Sequence, residues 1–273
     1  MSMATAPAHL RVSTPVGSLA VRVRGEGPTA VLWHSLFVDD RSWHRVEREL
    51  ACDRRLVIVT GPSHGASSDP GRRYSLDDCA AAAGEVIERL DLREPVDWVG
   101  NAWGGHVGVV FAATWPDRCR TLATFGTPIE AYGPREQVLF RVMLAAYRVV
   151  GMVDFLATGI GDALLSPSTR ARDPEATALV VDSLRTLKRP ALVNAMLSIS
   201  LGRPDLTPRL PAIRCPTLFV TGPDHSEWSP DQAEAKSSLL ASGSVAVVPE
   251  TAYLTPLEAP EATIRLVRDL WQT

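Results

Sequence analysis

Only four cysteines occur in this 273-residue chain, and Cys52, Cys79, Cys119 and Cys215 lie far apart with no C-x-x-C pair. That spacing points to reduced, structural thiols in a cytosolic protein. The six histidines lack the H-E-x-x-H or paired Cys/His spacing that builds a zinc site, so no metal is expected. No early G-x-G-x-x-G is present either, which removes the dinucleotide fingerprint and leaves a pocket expected to need no cofactor. A net charge of -3 without any basic block argues against a nucleic-acid partner. The longest apolar stretch, Met143 to Ile160, is interrupted by Arg148 and Asp154. It predicts a packed helix rather than a span, and no membrane partner is expected. Met1 to Leu10 has neither the charged n-region nor the apolar h-region of a secretory signal, so the expected location is cytoplasmic.

What is present is an ordinary globular composition, 45% hydrophobic and 22% charged. Ser18 to Val23 alternates like a half-exposed edge strand, while Thr29 to Trp33 and Arg55 to Thr60 are continuous apolar runs of the kind buried on both faces. Between those runs Trp43, Val46 and Leu50 recur at helical spacing. Ser75 and Asp78 form a capping box that opens a helix through Leu90. Leu122 to Phe125, Thr217 to Thr221 and Val245 to Val248 predict further strands, and Pro260 to Trp271 a closing helix. Alternating strands and helices imply an α/β fold whose mostly parallel sheet carries helices on both faces. The stretch from Gly126 to Ile213 breaks the rhythm with helical periodicity alone. It predicts an inserted helical cap over residues 129–211, between core segments 1–128 and 212–273, above the carboxyl ends of the strands where such sheets bind ligands.

Gly100-Asn101-Ala102-Trp103-Gly104-Gly105 follows the run Val96 to Val99 and has the frame G-x-S-x-G, a strained strand-to-helix turn that lifts one side chain above the sheet. The lifted side chain here is Ala102, which has nothing to attack with. Three more landmarks stand in register with it: His34-Ser35 after a buried strand, Thr60 to Ser67 as a D-x-x-G-x-G-x-S turn with Thr60 in the acidic place, and Pro256-Leu257-Glu258-Ala259-Pro260 as P-x-E-x-P. On these four the chain resembles the α/β-hydrolase superfamily over nearly its whole length. The resemblance implies that fold, and it also exposes a degenerate triad. Three residues before Pro256, where the family usually has histidine, stands Tyr253. The acid's expected place falls on His225, with Asp224 the nearest carboxylate. Trp103 after the elbow is similar to the D-W-G-G of haloalkane dehalogenases and epoxide hydrolases, although a wall residue of an apolar pocket is the plainer explanation.

With nucleophile and base both absent, ordinary serine-ester chemistry should be undetectable, because a triad acts as a unit. Backbone donors survive side-chain loss, and by the family pattern they are the Leu36 and Trp103 N–H groups. An oxyanion pocket without a nucleophile suits cofactor-free lyase, isomerase or cyclase chemistry on a small, mostly apolar organic molecule. Tyr253 would serve as proton donor or acceptor if a neighbour lowers its pKa, or it simply fills the space of a lost imidazole. Asp224 is the candidate acid. His34 shapes the oxyanion turn, and the Ser35 hydroxyl either reaches the pocket or faces solvent. His64 reads as a loop histidine away from the site, and His106 as a satisfied helix residue. Asp224, His225, Ser226 and Glu227 read as a solvated loop, with one of the four facing the site as the alternative. Two rivals stay open: an ordinary ester or epoxide hydrolase captured as an inactive Ala102 variant, and a small-molecule-binding pseudoenzyme.

Overall fold

The computed structural model describes residues 8–273, so most of the Met1 to Leu10 stretch read above for a signal lies outside the described residues. In chain order the elements are β1 (Ala8–Thr14), β2 (Gly17–Arg24), β3 (Thr29–Trp33), α1 (Glu47–Leu50), β4 (Arg55–Val59), α2 (Leu76–Arg89), β5 (Val96–Asn101), α3 (Trp103–Thr114) and β6 (Cys119–Phe125). There follow α4 (Pro134–Val150), α5 (Asp154–Leu164), α6 (Pro167–Arg172), α7 (Pro174–Thr186), α8 (Arg189–Ala195), β7 (Thr217–Thr221), α9 (Pro230–Ser237), β8 (Gly243–Val247), α10 (Thr255–Glu258) and α11 (Pro260–Leu270). The eight strands form one sheet in the order β1-β2-β4-β3-β5-β6-β7-β8. It is parallel from β4 to β8, with β1 and β2 added antiparallel.

Strands β3 and β5 are buried at every residue, which is why they read as continuous apolar runs. Asp97 interrupts the β5 run at zero exposure, held by Arg54 Nε at 2.8 Å, Arg120 Nη2 at 2.6 Å and the Thr121 hydroxyl at 2.8 Å. The capping box on α2 forms as the sequence predicts, and Ser229 with Gln232 makes a second one on α9.

Three expectations change. The edge strand is β1, not β2, because β1 buries only Val12 and so carries almost no periodic signal. Trp43 ends a 3-10 turn, Asp40–Trp43, Val46 caps the single turn α1, and Leu50 closes it, so the three do not share one helix. Met143 to Ile160 is not one packed helix: Gly151 at φ 78° divides it into α4 and α5, and Val149, Val150, Val153 and Phe155 are exposed. No helix of the described residues is long and apolar enough to cross a membrane.

The elbow depends on close backbone approach. A Cβ on Gly104 would stand 1.8 Å from the Trp33 carbonyl oxygen, and one on Gly100 would stand 2.3 Å from the Gly104 carbonyl carbon. Only hydrogen at those two Cα atoms lets α3 start directly above β3 and β5. Helices α4 to α8 lie between β6 and β7, and they supply one wall of the site described next.

Candidate active site

Ala102 links β5 to α3 at φ 46° and ψ -104°, a left-handed conformation that L-residues adopt at a cost of about 1–3 kcal/mol. The surroundings hold it there. Its N–H donates to the Phe125 carbonyl at 2.7 Å, and the Asn101 amide beside it donates to the Phe125 and Tyr253 carbonyls at 2.9 and 2.7 Å. The elbow is therefore built and tensioned, with a methyl group at its tip. That methyl faces a small chamber of about 60 Å³, whose wall also includes Ser35, Leu36, His106, Arg203, Glu227 and Tyr253.

Leu36 and Trp103 both line this chamber. Among the described residues the Leu36 and Trp103 N–H groups have no acceptor, whereas the next amide, Gly104, donates to His34 O at 3.1 Å. The Trp103 N–H also stands at the positive end of α3. His34 works beneath them: Nδ1–H donates to Ser35 O at 2.7 Å and Nε2 accepts from the Gly61 N–H at 2.8 Å, so both ring nitrogens are committed to the loop. Burial lowers its pKa and keeps it neutral, as that bonding requires. His64 is not remote from the site. Its ring lies 5.2 Å from His34 and 5.3 Å from Trp103, and its nitrogens face the Leu36 and Pro62 carbonyls, so it ties the loop after β3 to the turn after β4. The Trp103 indole packs into the core among Trp33, His34, His64 and Tyr74, at 1% exposure.

Opposite the elbow, Tyr253 stacks on His225 with ring centroids 3.6 Å apart, and its hydroxyl shares a hydrogen bond of 2.9 Å with Ser226 Oγ. Burial and the neighbouring Glu227 push the phenol pKa up, not down. Tyr253 thus stays protonated with an O–H to donate, which removes the proton-acceptor role weighed above. Asp224 is exposed, uses its N–H on Thr251 O at 3.3 Å, and is absent from the chamber wall. Of the four-residue polar loop it is Glu227 that faces the chamber. Burial raises its carboxyl pKa, against the opposing pull of Arg203, Tyr253 and Tyr132. His225 Nδ1 accepts the Glu227 N–H at 3.1 Å and so fixes that turn.

Arg203, from the segment between α8 and β7, was missed entirely by sequence reasoning. It is 8% exposed, its guanidinium lies 4.6 Å from the Tyr132 ring centroid, and its Nε has no partner. Its Nη1 stands 3.3 Å from His106 Nε2, but that nitrogen is 2.7 Å from Pro128 O. Burial holds His106 neutral, so the shorter contact takes the Nε2 proton and leaves the guanidinium facing an N–H. Among the described residues no carboxylate forms an ion pair with Arg203, although Glu227 lies within its field. Such a buried cation has the chemistry to pair with an anionic group. No serine, threonine or cysteine side chain hydrogen-bonds to a histidine among the described residues. Nor do three His, Cys, Asp or Glu side chains gather as a metal site among them.

The model of the alpha/beta hydrolase family matches residues 30–266. A Bacillus subtilis protein provisionally described as 2-succinyl-6-hydroxy-2,4-cyclohexadiene-1-carboxylate synthase is 25% identical over 258 residues, covering 90% of this chain and 93% of that one. Among solved structures, the enol-lactonase of Burkholderia xenovorans superposes with a TM-score of 0.87 at 22% identity, covering 97% of this chain and 100% of the other. An esterase of Thermogutta terrifontis reaches 0.87 at 23% identity, covering 97% and 98%. At those identities the two structures speak for the fold alone.

Proposed function

The chain belongs to the alpha/beta hydrolase family, and from that premise we propose that it carries out cofactor-free, non-hydrolytic proton-transfer chemistry of lyase, isomerase or cyclase type on a small, mostly apolar organic carboxylate. The observation that carries this reading is the pairing of an intact elbow and free oxyanion donors with an alanine tip and a phenol across from it. Hydrolysis needs a nucleophile and a base to activate it. Stabilising an enolate needs neither, only donors placed where negative charge develops.

In this reading the substrate carbonyl accepts hydrogen bonds from the Leu36 and Trp103 amides, and the substrate carboxylate pairs with Arg203. Glu227 moves the proton. Its burial raises the pKa toward the working range of a general base or acid, and Arg203 keeps the shift from running away. Tyr253 holds the proton-transfer geometry through its hydroxyl and takes no proton itself. Asp224 has no part. The carboxylate is also consistent with the Bacillus subtilis relative, whose name describes a carboxylate synthase. We extend the proposal to a cytoplasmic location and to a cap comprising residues 129–211.

The test is solvent deuterium exchange at the acidic C–H of a panel of enolisable 2-oxo and 3-oxo carboxylates, followed by proton NMR. Exchange should depend on the protein and fall by about 10²-fold or more in Glu227→Gln. Ala102→Ser should give no ester turnover and no fluorophosphonate adduct, because the imidazole on the chamber wall, His106, has its Nε2 committed to the Pro128 carbonyl. Recovery of ester turnover by that single change would establish an ordinary hydrolase instead, and tight carboxylate binding without exchange or turnover would establish a binding protein.

A further inference from the structure

The chamber at the elbow, at about 60 Å³, takes the reacting end of a substrate and not an extended chain. It shares Phe37, Tyr132, Leu164, Glu227 and Tyr253 with a second cavity of about 340 Å³, open to solvent between α4 and α5, where Gly159 and Ala163 are exposed. That second cavity is almost wholly apolar. Its helical walls are two stripes, Leu139, Phe140 and Met143 on α4, and on α5 the face that carries Phe155, Gly159 and Ala163. The α5 positions recur every fourth residue, so they share one side of the helix. Small residues there keep the space open, and a Cβ added at Gly159 would meet nothing within 4 Å. Leu139 and Phe155, at 72% and 85% exposure, flank the mouth.

Resting on the carboxylate reading above, we propose that the substrate is an amphiphile whose unbranched apolar chain lies in the α4–α5 cavity while its acidic head occupies the Arg203 chamber. The two spaces differ in chemistry as the two ends of such a molecule do. The inner one presents a guanidinium without a carboxylate partner and free amides, and beyond the shared Tyr132, Glu227 and Tyr253 the outer one presents only apolar side chains. Their shared wall makes them one path. A chain threaded through the mouth would cover the exposed Phe155 and Leu139 rings and methyls, which a compact polar substrate would leave wet.

The experiment is calorimetric titration of the full-length chain with the straight-chain series from sodium butanoate to sodium dodecanoate, kept below micelle-forming concentrations. Each added methylene should tighten Kd about four-fold until the cavity is full, after which the series levels off. Gly159→Leu fills the cavity from a position where helix propensity favours the change. It should abolish the dependence on chain length while leaving butanoate binding as it was. Arg203→Met should weaken every member of the series equally and keep the slope. A flat series in the unaltered chain, or a slope that survives Gly159→Leu, overturns the proposal. Loss of proton exchange with the slope retained would instead refute the catalytic reading and leave the chain-binding cavity standing.

Discussion

Removing the Arg203 guanidinium should make the protein more stable and functionally worse. The group is 8% exposed, has an unpartnered Nε, and is served by no ion pair among the described residues. Desolvating a charge in this way costs several kcal/mol, of order 3–5, even after relaxation. Its compensation is the Tyr132 ring at 4.6 Å, a cation–π contact contributing about 1–2 kcal/mol at a desolvated site, beside the weaker pull of Glu227. Arg203→Met keeps the apolar stem of the side chain and discards the guanidinium together with its contact to Tyr132, so the net gain should be about 2 kcal/mol. For a chain of this size that raises Tm by roughly 4–8 °C, at about 2–4 °C per kcal/mol. The assay is thermal unfolding with and without sodium decanoate. The unaltered protein should gain up to about 2.7 kcal/mol from ligand at a hundredfold excess over Kd, and the Met variant should start higher and gain little. A variant that melts lower than the parent without ligand would refute the argument, since it would mean that the guanidinium is already satisfied in the empty site.

Ala102→Gly should stabilise the fold by about 1 kcal/mol in chemical denaturation, because relief of the left-handed strain exceeds the extra chain entropy of glycine; destabilisation would show that the alanine is unstrained. His64 and His225 are buried neutral with pKa values lowered from 6.5 to about 4. The unfolded chain therefore takes up these protons first, and stability should fall as pH drops from about 6.5 to 4, by about 3 kcal/mol for each ring. Urea melts across that window should show the slope, with His225→Asn removing its share; a flat profile would be inconsistent with neutral burial. Asp97→Ala strands two arginines at the sheet and should cost about 3 kcal/mol in the same melts without altering carboxylate binding.

Much of the fold was legible because its signals are local. A buried strand between β neighbours, such as Thr29 to Trp33, must be apolar on both faces. The capping box at Ser75 and Asp78 needs only one turn of backbone to close. Strand β1 escaped notice because a single buried valine leaves no pattern to read. Within the site, Ala102, Leu36, His34 and Tyr253 were found by their motifs. Glu227 stood among four polar residues of one loop, and nothing in their order told which would be turned inward. His64 read as a loop histidine away from the site because the packing of its ring against His34 and Trp103 joins three separate segments.

From its sequence alone this chain is committed to an α/β sheet with a strand-to-helix elbow and no hydroxyl at the tip, because glycine spacing and strand composition act over a few residues of backbone. Whether that elbow faces a charge, and which one, is decided only when Arg203 comes to lie 3.3 Å from His106 across 97 residues of chain. The packing of the α4 to α8 segment against the sheet buries the guanidinium without a partner. Desolvation is a property of everything that surrounds a group, so no pattern of neighbours along the chain could have announced it.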